Sequence, residues 1–433
     1  MDATIDTKEV RTWKRYDDIK ASTSRWLGPT PSHWHVTSFK RATSRVVVGI
    51  AEAATHAYAE QGVPIIRSTN VRANRLRDDD LLYVQPWFAQ ENQSKYLRSG
   101  DLVTVRTGYP GTTAVVPQKL HMCQCFTLLI STLHAEHVPE YFSYVLNSAP
   151  SRAYFEVEGW GSAQQNISVP ILQFLPVPIP PPKEQKAIAH FLDRETARID
   201  GLIGHKERLI ELLEEKRRAV ISHAVTRGLD SNAKMKDSGV EWLGVVPSHW
   251  ELKRLKFAAT FQRGHDLPVD NRKDGIVPLV TSAGATDTHS ESAAIAPGIV
   301  TGRYGTIGNF YLIETDYWPL NTTLYTNNLH NNYVKFLHYM LHILEPLFHL
   351  YAEKSAVPGI DRNDIHQLKV AVPPTSQEQR DIADYLNVES KRIIEVIQQI
   401  RFGIEQLQEY RTALISAAVT GQIDVREEVP AND

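Results

Sequence analysis

Cysteine is nearly absent: 433 residues contain two, Cys123 and Cys125. That spacing makes a mutual disulfide geometrically poor, so no disulfide framework holds this chain, and so few thiols suit a reducing compartment. The pair reads as two strand residues on one face. No run of about 18 apolar residues occurs, which excludes a membrane-spanning helix. The start of the chain, Met1 to Asp18, is polar and charged. No secretory signal is therefore expected, and a cytoplasmic location is. Neither sign of charge dominates, since 47 Lys and Arg face 50 Asp and Glu for a formal net charge of -3. Such a chain does not grip nucleic acid by bulk charge, and DNA binding must use local basic patches or lean on a partner. No Gly-Lys dipeptide exists, so a P-loop is excluded. No Asn-Pro-Pro or Asp-Pro-Pro precedes an aromatic residue, so the usual amino-methyltransferase signature is missing. His338 and His342 have helical spacing but lack the glutamate of an HExxH zinc site. Asp78-Asp79-Asp80 reads as a solvated turn, and seventeen histidines form no clustered ligand set. Nothing looks like an active site, and no cofactor or metal is expected on this chain.

What the chain does have is itself, twice. Ser32-His33-Trp34 returns 216 residues later as Ser248-His249-Trp250, each time shortly after Trp-Leu-Gly (Trp26 to Gly28, Trp242 to Gly244). His33 recurs and His35 does not, so His33 reads as structural rather than as half of a metal pair. Glu184-Gln185 returns 194 residues later as Glu378-Gln379. At the same shift Ile221, Val225, Thr226 and Asp230 return as Ile415, Val419, Thr420 and Asp424. The stretches between are much less alike. A duplication of this kind builds a pseudo-two-fold molecule with two different working surfaces.

The pattern predicts an α+β chain. A lead-in at 1–25 precedes a mixed α/β domain at 26–182, with β-branched runs at Arg45–Ile50, Leu102–Arg106 and Phe126–Ile130 and a helix at Glu140–Leu146. A helical spacer at 183–245 follows. Stepping alternately by four and three residues picks out Ile188, Leu192, Glu195, Ile199, Leu202, Lys206, Leu209, Leu213, Lys216 and Val220, a coiled-coil seam with polar interruptions. Gly228 closes that helix. A second mixed domain at 246–373 leads into a second spacer and tail at 374–433. Thr375 and Glu378 have capping-box spacing there. Its seam is Ile382, Leu386, Glu389, Ile393, Val396, Ile400, Gly403, Leu407, Tyr410 and Leu414, ended by Gly421. Each helix of roughly 40 residues spans about 60 Å. If a two-fold axis relates the copies, the two helices run antiparallel and pair with each other.

Several residues suit DNA. Arg67, Arg72, Arg75 and Arg77 lie within eleven residues with no acid among them. Arginine forks match guanine edges and phosphates. Arg106-x-Gly108-x-x-Gly111 is mirrored by Arg303-x-Gly305-x-x-Gly308, each after a β-branched run. Glycines there let a loop turn tightly and project an arginine, and Tyr109 and Tyr304 add planar side chains. A hairpin whose arginine pairs internally is the competing reading. No helix signal or spaced acid follows these glycines, so they are not a dinucleotide fingerprint. Gln164 in the first domain, and Arg263 and Lys354 in the second, complete the DNA-contact candidates, with Lys40, Arg41, Gln165, Asn166, Arg272, Lys273, Asn321 and Thr322 as further polar loop positions.

These motifs together resemble the specificity subunit of Type I restriction–modification systems. The carriers are Pro31-Ser32-His33-Trp34 and Pro247-Ser248-His249-Trp250, the stretch Gly161, Ser162 and Ile167, and Pro180-Pro181-Pro182-x-Glu184-Gln185-x-x-Ile188-x-x-Phe191-Leu192. The second copy runs Pro373-Pro374, then Glu378-Gln379-x-x-Ile382-x-x-Tyr385-Leu386. One departure is Val169-Pro170, where the second copy has Asn363-Asp364. The resemblance implies two target-recognition domains separated by two antiparallel helices. Each domain would read one half of a bipartite, asymmetric site in double-stranded DNA, and the helices would set the gap and dock two methyltransferase subunits. It also implies that S-adenosylmethionine, ATP and Mg belong to those partners and to the restriction and translocase subunits. The competing reading from the residues is a coiled-coil adaptor without DNA specificity.

Overall fold

The computed structural model describes residues 13–52, 55–159, 166–353 and 359–428. The chain forms two compact units, Met1–His205 with Gly403–Asp433, and Lys206–Phe402. Two long helices, Pro182–Arg227 and Ser376–Val419, are each shared between the units, so every unit owns the start of one and the end of the other.

In the first unit an antiparallel sheet has the strand order Thr113–Val115, Leu102–Thr104, Leu129–Leu133, Thr43–Val48. A second four-stranded sheet runs Gln124–Cys125, Val63–Ile66, Leu82–Val84, Tyr58–Ala59, its first pair parallel. Both cysteines are buried and free, and burial pushes the Cys123 thiol up to about 12. The second unit repeats the plan. Its main sheet orders Thr260–Arg263, Thr323–Asn328, Gly298–Gly302, Phe310–Ile313. Its smaller sheet orders Gly284–His289, Val277–Thr281, Trp318–Pro319, again with one parallel pair.

The repeated motifs are the latch that closes each unit. Strand His35–Ser38 pairs with Pro176–Ile179, and Glu251–Arg254 pairs with Lys369–Val372, so the chain leaves each mixed domain beside the point where it came in. Trp34 and Trp250 are fully buried. Trp34 Nε1 donates to Glu184 Oε1 at 3.1 Å, and Trp250 Nε1 to Glu378 Oε1 at 2.8 Å. His33 and His249 meet the same carboxylates at 2.9 and 3.1 Å, which gives the structural role read for His33. Gln185 Oε1 accepts from Val138 N while its amide donates to Pro180 O; Gln379 does the same with Tyr333 N and Pro373 O. Thr375 caps the second helix by accepting from Glu378 N at 3.2 Å. The Glu378 side chain goes to Trp250 and His249 instead of completing the capping box.

The end of the other helix completes the latch. Gly421 packs so tightly on Pro31 and Trp34 that a Cβ there would lie 2.2 Å from the proline ring, and its φ of +73° is one L side chains rarely adopt. Gly228, at φ +75°, sits equivalently against Trp250 and Pro247. The helices are therefore antiparallel within each unit. In the first, Ile188, Leu192 and Ile199 share a core with Leu414, Ile415 and Ala418, and Asp200 pairs with Arg411 at 2.8 Å. In the second, Ile221, Ala224 and Val225 share a core with Ile382, Ala383 and Leu386, and Glu214 pairs with Arg401 at 3.6 Å.

The seam departs from strict heptads. Ile188, Leu192, Ile199, Ile382, Leu386, Ile393 and Leu414 are buried as expected, and Leu213 and Leu407 are half-buried. Leu202, Leu209 and Val396 are exposed, at 39%, 46% and 39%. Ile203, Ile210 and Ile397 turn inward in their place. The inward positions step by four twice in succession, Glu195 to Ile199 to Ile203 and Glu389 to Ile393 to Ile397. An extra four-residue step shifts the heptad phase by one position, because 3.6 residues per turn does not divide seven. Glu195 is 4% exposed. Burial pushes its carboxyl up, but bonds from Arg198 and Arg194 outweigh that and hold it below the usual range.

Candidate nucleic-acid interface

Each unit carries a cleft beside its glycine loop. In the first, Leu102–Thr104 and Thr113–Val115 form a hairpin whose connection contains Arg106 to Gly111. Gly108 and Gly111 have φ of +95° and +90°, and a Cβ on Gly111 would lie 2.4 Å from the Phe155 ring. The loop is thereby pinned, with Gly111 N donating to Val105 O at 2.9 Å and Thr112 Oγ1 to Tyr109 O at 3.0 Å. Tyr109 stands 84% exposed at its tip. Facing the loop is a short hairpin, Val71–Arg72 with Arg75–Leu76. The cleft between them, about 640 Å³, is lined by Thr69, Arg72, Thr107, Tyr109 and Arg152 among others.

The four clustered arginines do not act alike. Arg67 bonds Asp80 at 2.9 Å, and Arg77 chelates Asp79. The acids of the solvated turn just beyond the cluster thus neutralise two of its members. Arg72 and Arg75 remain exposed. Arg106 follows the competing reading: its Nε donates to Asn166 Oδ1 at 3.1 Å. Its main-chain oxygen accepts from Ile167 N at 3.1 Å. It fastens the loop's base instead of projecting from it. Arg152 was not legible in the sequence, because only the fold brings its helix, Ala149–Glu158, to the loop. Gln164, with Gly161 and Ser162, lies outside the described residues.

In the second unit the corresponding loop gives Gly305 and Gly308 φ of +78° and +83°. Its cleft, about 520 Å³, is lined by Arg263, Arg303 and Arg362 together with Asp266, Asp361 and His265. Arg263 approaches Asp266 only at 3.8 Å. The Arg303 guanidinium lies 4.8 Å over the Tyr304 ring, which in turn covers Gly359 so closely that a Cβ there would lie 2.4 Å from it. Tyr304 is therefore 39% exposed where Tyr109 is 84%. Ile360 N donates to Arg303 O, as Ile167 N does to Arg106 O. Arg272 and Lys273 are drawn to Asp287 and Glu291. Arg362 is a contact the sequence did not announce, and Lys354 lies outside the described residues. The departure at Val169-Pro170 leaves the local fold intact. Ser168 caps one short helix by accepting from Ile171 N, and Asp361 caps its counterpart by accepting from Asn363 N.

No group of three or more His, Cys, Asp or Glu that could hold a metal ion occurs among the described residues. Burial pushes the His342 imidazole down to about 4, with His338 and Arg217 adding to the shift. No helix among the described residues is long and apolar enough to cross a membrane.

The model of the Type I restriction modification DNA specificity domain matches this chain twice, at 53–212 and 247–406. The chain belongs to the Type I restriction–modification specificity subunits. It is 23% identical over 427 residues to the putative type I restriction enzyme MjaX specificity subunit of Methanocaldococcus jannaschii, covering 92% of this chain and 96% of that protein. It is 25% identical over 238 residues to the type I restriction enzyme EcoKI specificity subunit of Escherichia coli, a match spanning 53% of this chain and about half, 48%, of that relative. A chain from the work "Structural basis underlying complex assembly and conformational transition of the type I R-M system" superposes with a TM-score of 0.74 at 16% identity, covering 91% of this chain and 99% of that one. The HsdS subunit from Thermoanaerobacter tengcongensis gives 0.54 at 16% identity, covering 91% and 98%. At such identities these two show the fold alone.

Proposed function

We propose that this specificity subunit reads double-stranded DNA with its two clefts, one half-site each, and performs no chemistry of its own. The observation that carries this is the repeated loop: two units of one topology, each with an Arg-x-Gly-x-x-Gly loop of positive-φ glycines and, beside it, a cleft that holds exposed arginines. Two methyltransferase subunits dock on the helices, one for each copy of the repeat, and restriction and translocase subunits complete the assembly in the cytoplasm. S-adenosylmethionine, ATP and Mg are held by those partners. The helix faces beside the seam supply apolar docking groups; in the second unit Tyr385, Val388 and Val396 share one exposed stripe at helical spacing. The helices hold the unread gap between half-sites. An adaptor without DNA specificity leaves the basic clefts unexplained. The test is methylation of random-sequence duplex with labelled S-adenosylmethionine. The chain alone is expected to be inert, and the chain with its methyltransferase subunit to label one bipartite sequence. Labelling by the chain alone, or labelling without sequence preference by the complex, overturns the proposal.

A further inference from the structure

We infer that Arg72 is the specificity-determining residue of the first unit and reads a guanine edge within its half-site. The inference rests on the DNA-reading function proposed above and goes to which side chain discriminates and which base it selects. The hairpin carrying Arg72 is an addition to the shared frame. In the second unit the corresponding strands, Val277–Thr281 and Gly284–His289, are joined directly. What differs between two units of one topology is what lets them select different sequences.

Within that hairpin the guanidinium is already aimed. Arg72 Nη1 donates to the carbonyls of Thr69 and Val71, both at 3.0 Å. Its Nε and Nη2 have no partner among the described residues. One nitrogen is tied down and the opposite edge is open, so the fork binds two acceptors without first losing rotamer freedom. Guanine shows such a pair, N7 and O6, in the major groove, and arginine is the side chain that most often takes it. The rest of the cleft suits a base edge better than a phosphate rail. Its described walls contain no acid, and Thr69, Thr107 and Tyr109 offer hydroxyls and a ring. The other lining cation, Arg152, stands on a separate helix and serves the backbone. Arg75, equally exposed, does not line the cleft.

The test is methylation of a randomised duplex library by the assembled complex, carrying wild-type chain, Arg72→Ala, Arg72→Lys or Arg152→Ala. For Arg72→Ala the expected result is loss of roughly 5- to 150-fold discrimination at a single G·C pair of one half-site. Every other position, and the second half-site, stays unchanged. Arg72→Lys restores the preference only in part, because an ammonium is a point charge and not a fork. Arg152→Ala weakens binding evenly over all sequences and lowers the salt slope by about one. An even loss with a reduced salt slope for Arg72→Ala marks a phosphate contact and overturns the assignment, as does an unchanged profile. Both results presuppose a sequence-selective wild type. A wild-type complex that methylates without preference overturns the function itself, and the Arg72 assignment with it.

Discussion

At the scale of the residue, the repeated motifs and the candidate contacts behave oppositely. Glu184 is a fold residue: its side chain is 5% exposed and accepts from Tyr16, Trp34 and His33. Its counterpart Glu378 is 30% exposed and, among the described residues, accepts from the side chains of Trp250 and His249 alone. Removing a buried acceptor leaves its donors dry, which costs about 1–3 kcal/mol per stranded group. Glu184→Ala should therefore destabilise the chain by roughly 3 kcal/mol or more, and Glu378→Ala by about half as much. Urea unfolding of the full chain checks this; equal losses would show that Tyr16 adds nothing to the latch. The Tyr16 contact was invisible in the sequence, because nothing in the lead-in repeats it. The twin glutamates and tryptophans were visible, because the same latch is built twice. Among the arginines, sequence proximity was a poor guide to role. Arg67, Arg72, Arg75 and Arg77 look alike in a row, and only the fold shows that Asp79 and Asp80 turn back onto two of them.

At the scale of the element, both long helices, their glycine stops and the mixed domains were legible from hydrophobic period, capping and duplication. The seam was legible to within one residue. A strict heptad reading runs from Ile199 to Leu202, while the helix, at 3.6 residues per turn, carries the inward face to Ile203. The second helix makes the same step at Ile397. Both Leu202 and Ile203 are apolar, so composition alone could not choose between them. Substitution can. Ile397 is 7% exposed, and an aspartate there buries an unpaired charge. Ile397→Asp should cost at least ~3 kcal/mol in the free chain. Val396→Asp, one position away on an exposed face, should stay within about 0.5 kcal/mol. Denaturant midpoints of the two variants decide the register, and reversed losses would restore the strict heptad seam.

At the scale of the whole molecule, duplication preserved the frame and released the working surfaces. The main sheets share one strand order, the strands that open and close each mixed domain pair in the same way, and the loop-fastening bonds recur at Arg106 and Arg303. The surfaces share almost nothing. One cleft has an inserted arginine hairpin, a bare tyrosine and no acid among its described walls. The other has three arginines interleaved with two aspartates. Contacts to phosphates position a protein without reading sequence, so two frames alone would give two equal grips. Selection comes from the donors and acceptors presented to base edges, and those presented here are unlike. The methylated target is therefore expected to be bipartite, with half-sites that are not reverse complements of each other. Mapping methylated adenines across DNA treated with the assembled complex reads this directly. Recovery of a perfect palindrome would mean that the two clefts read the same bases, and that their different linings have no part in recognition.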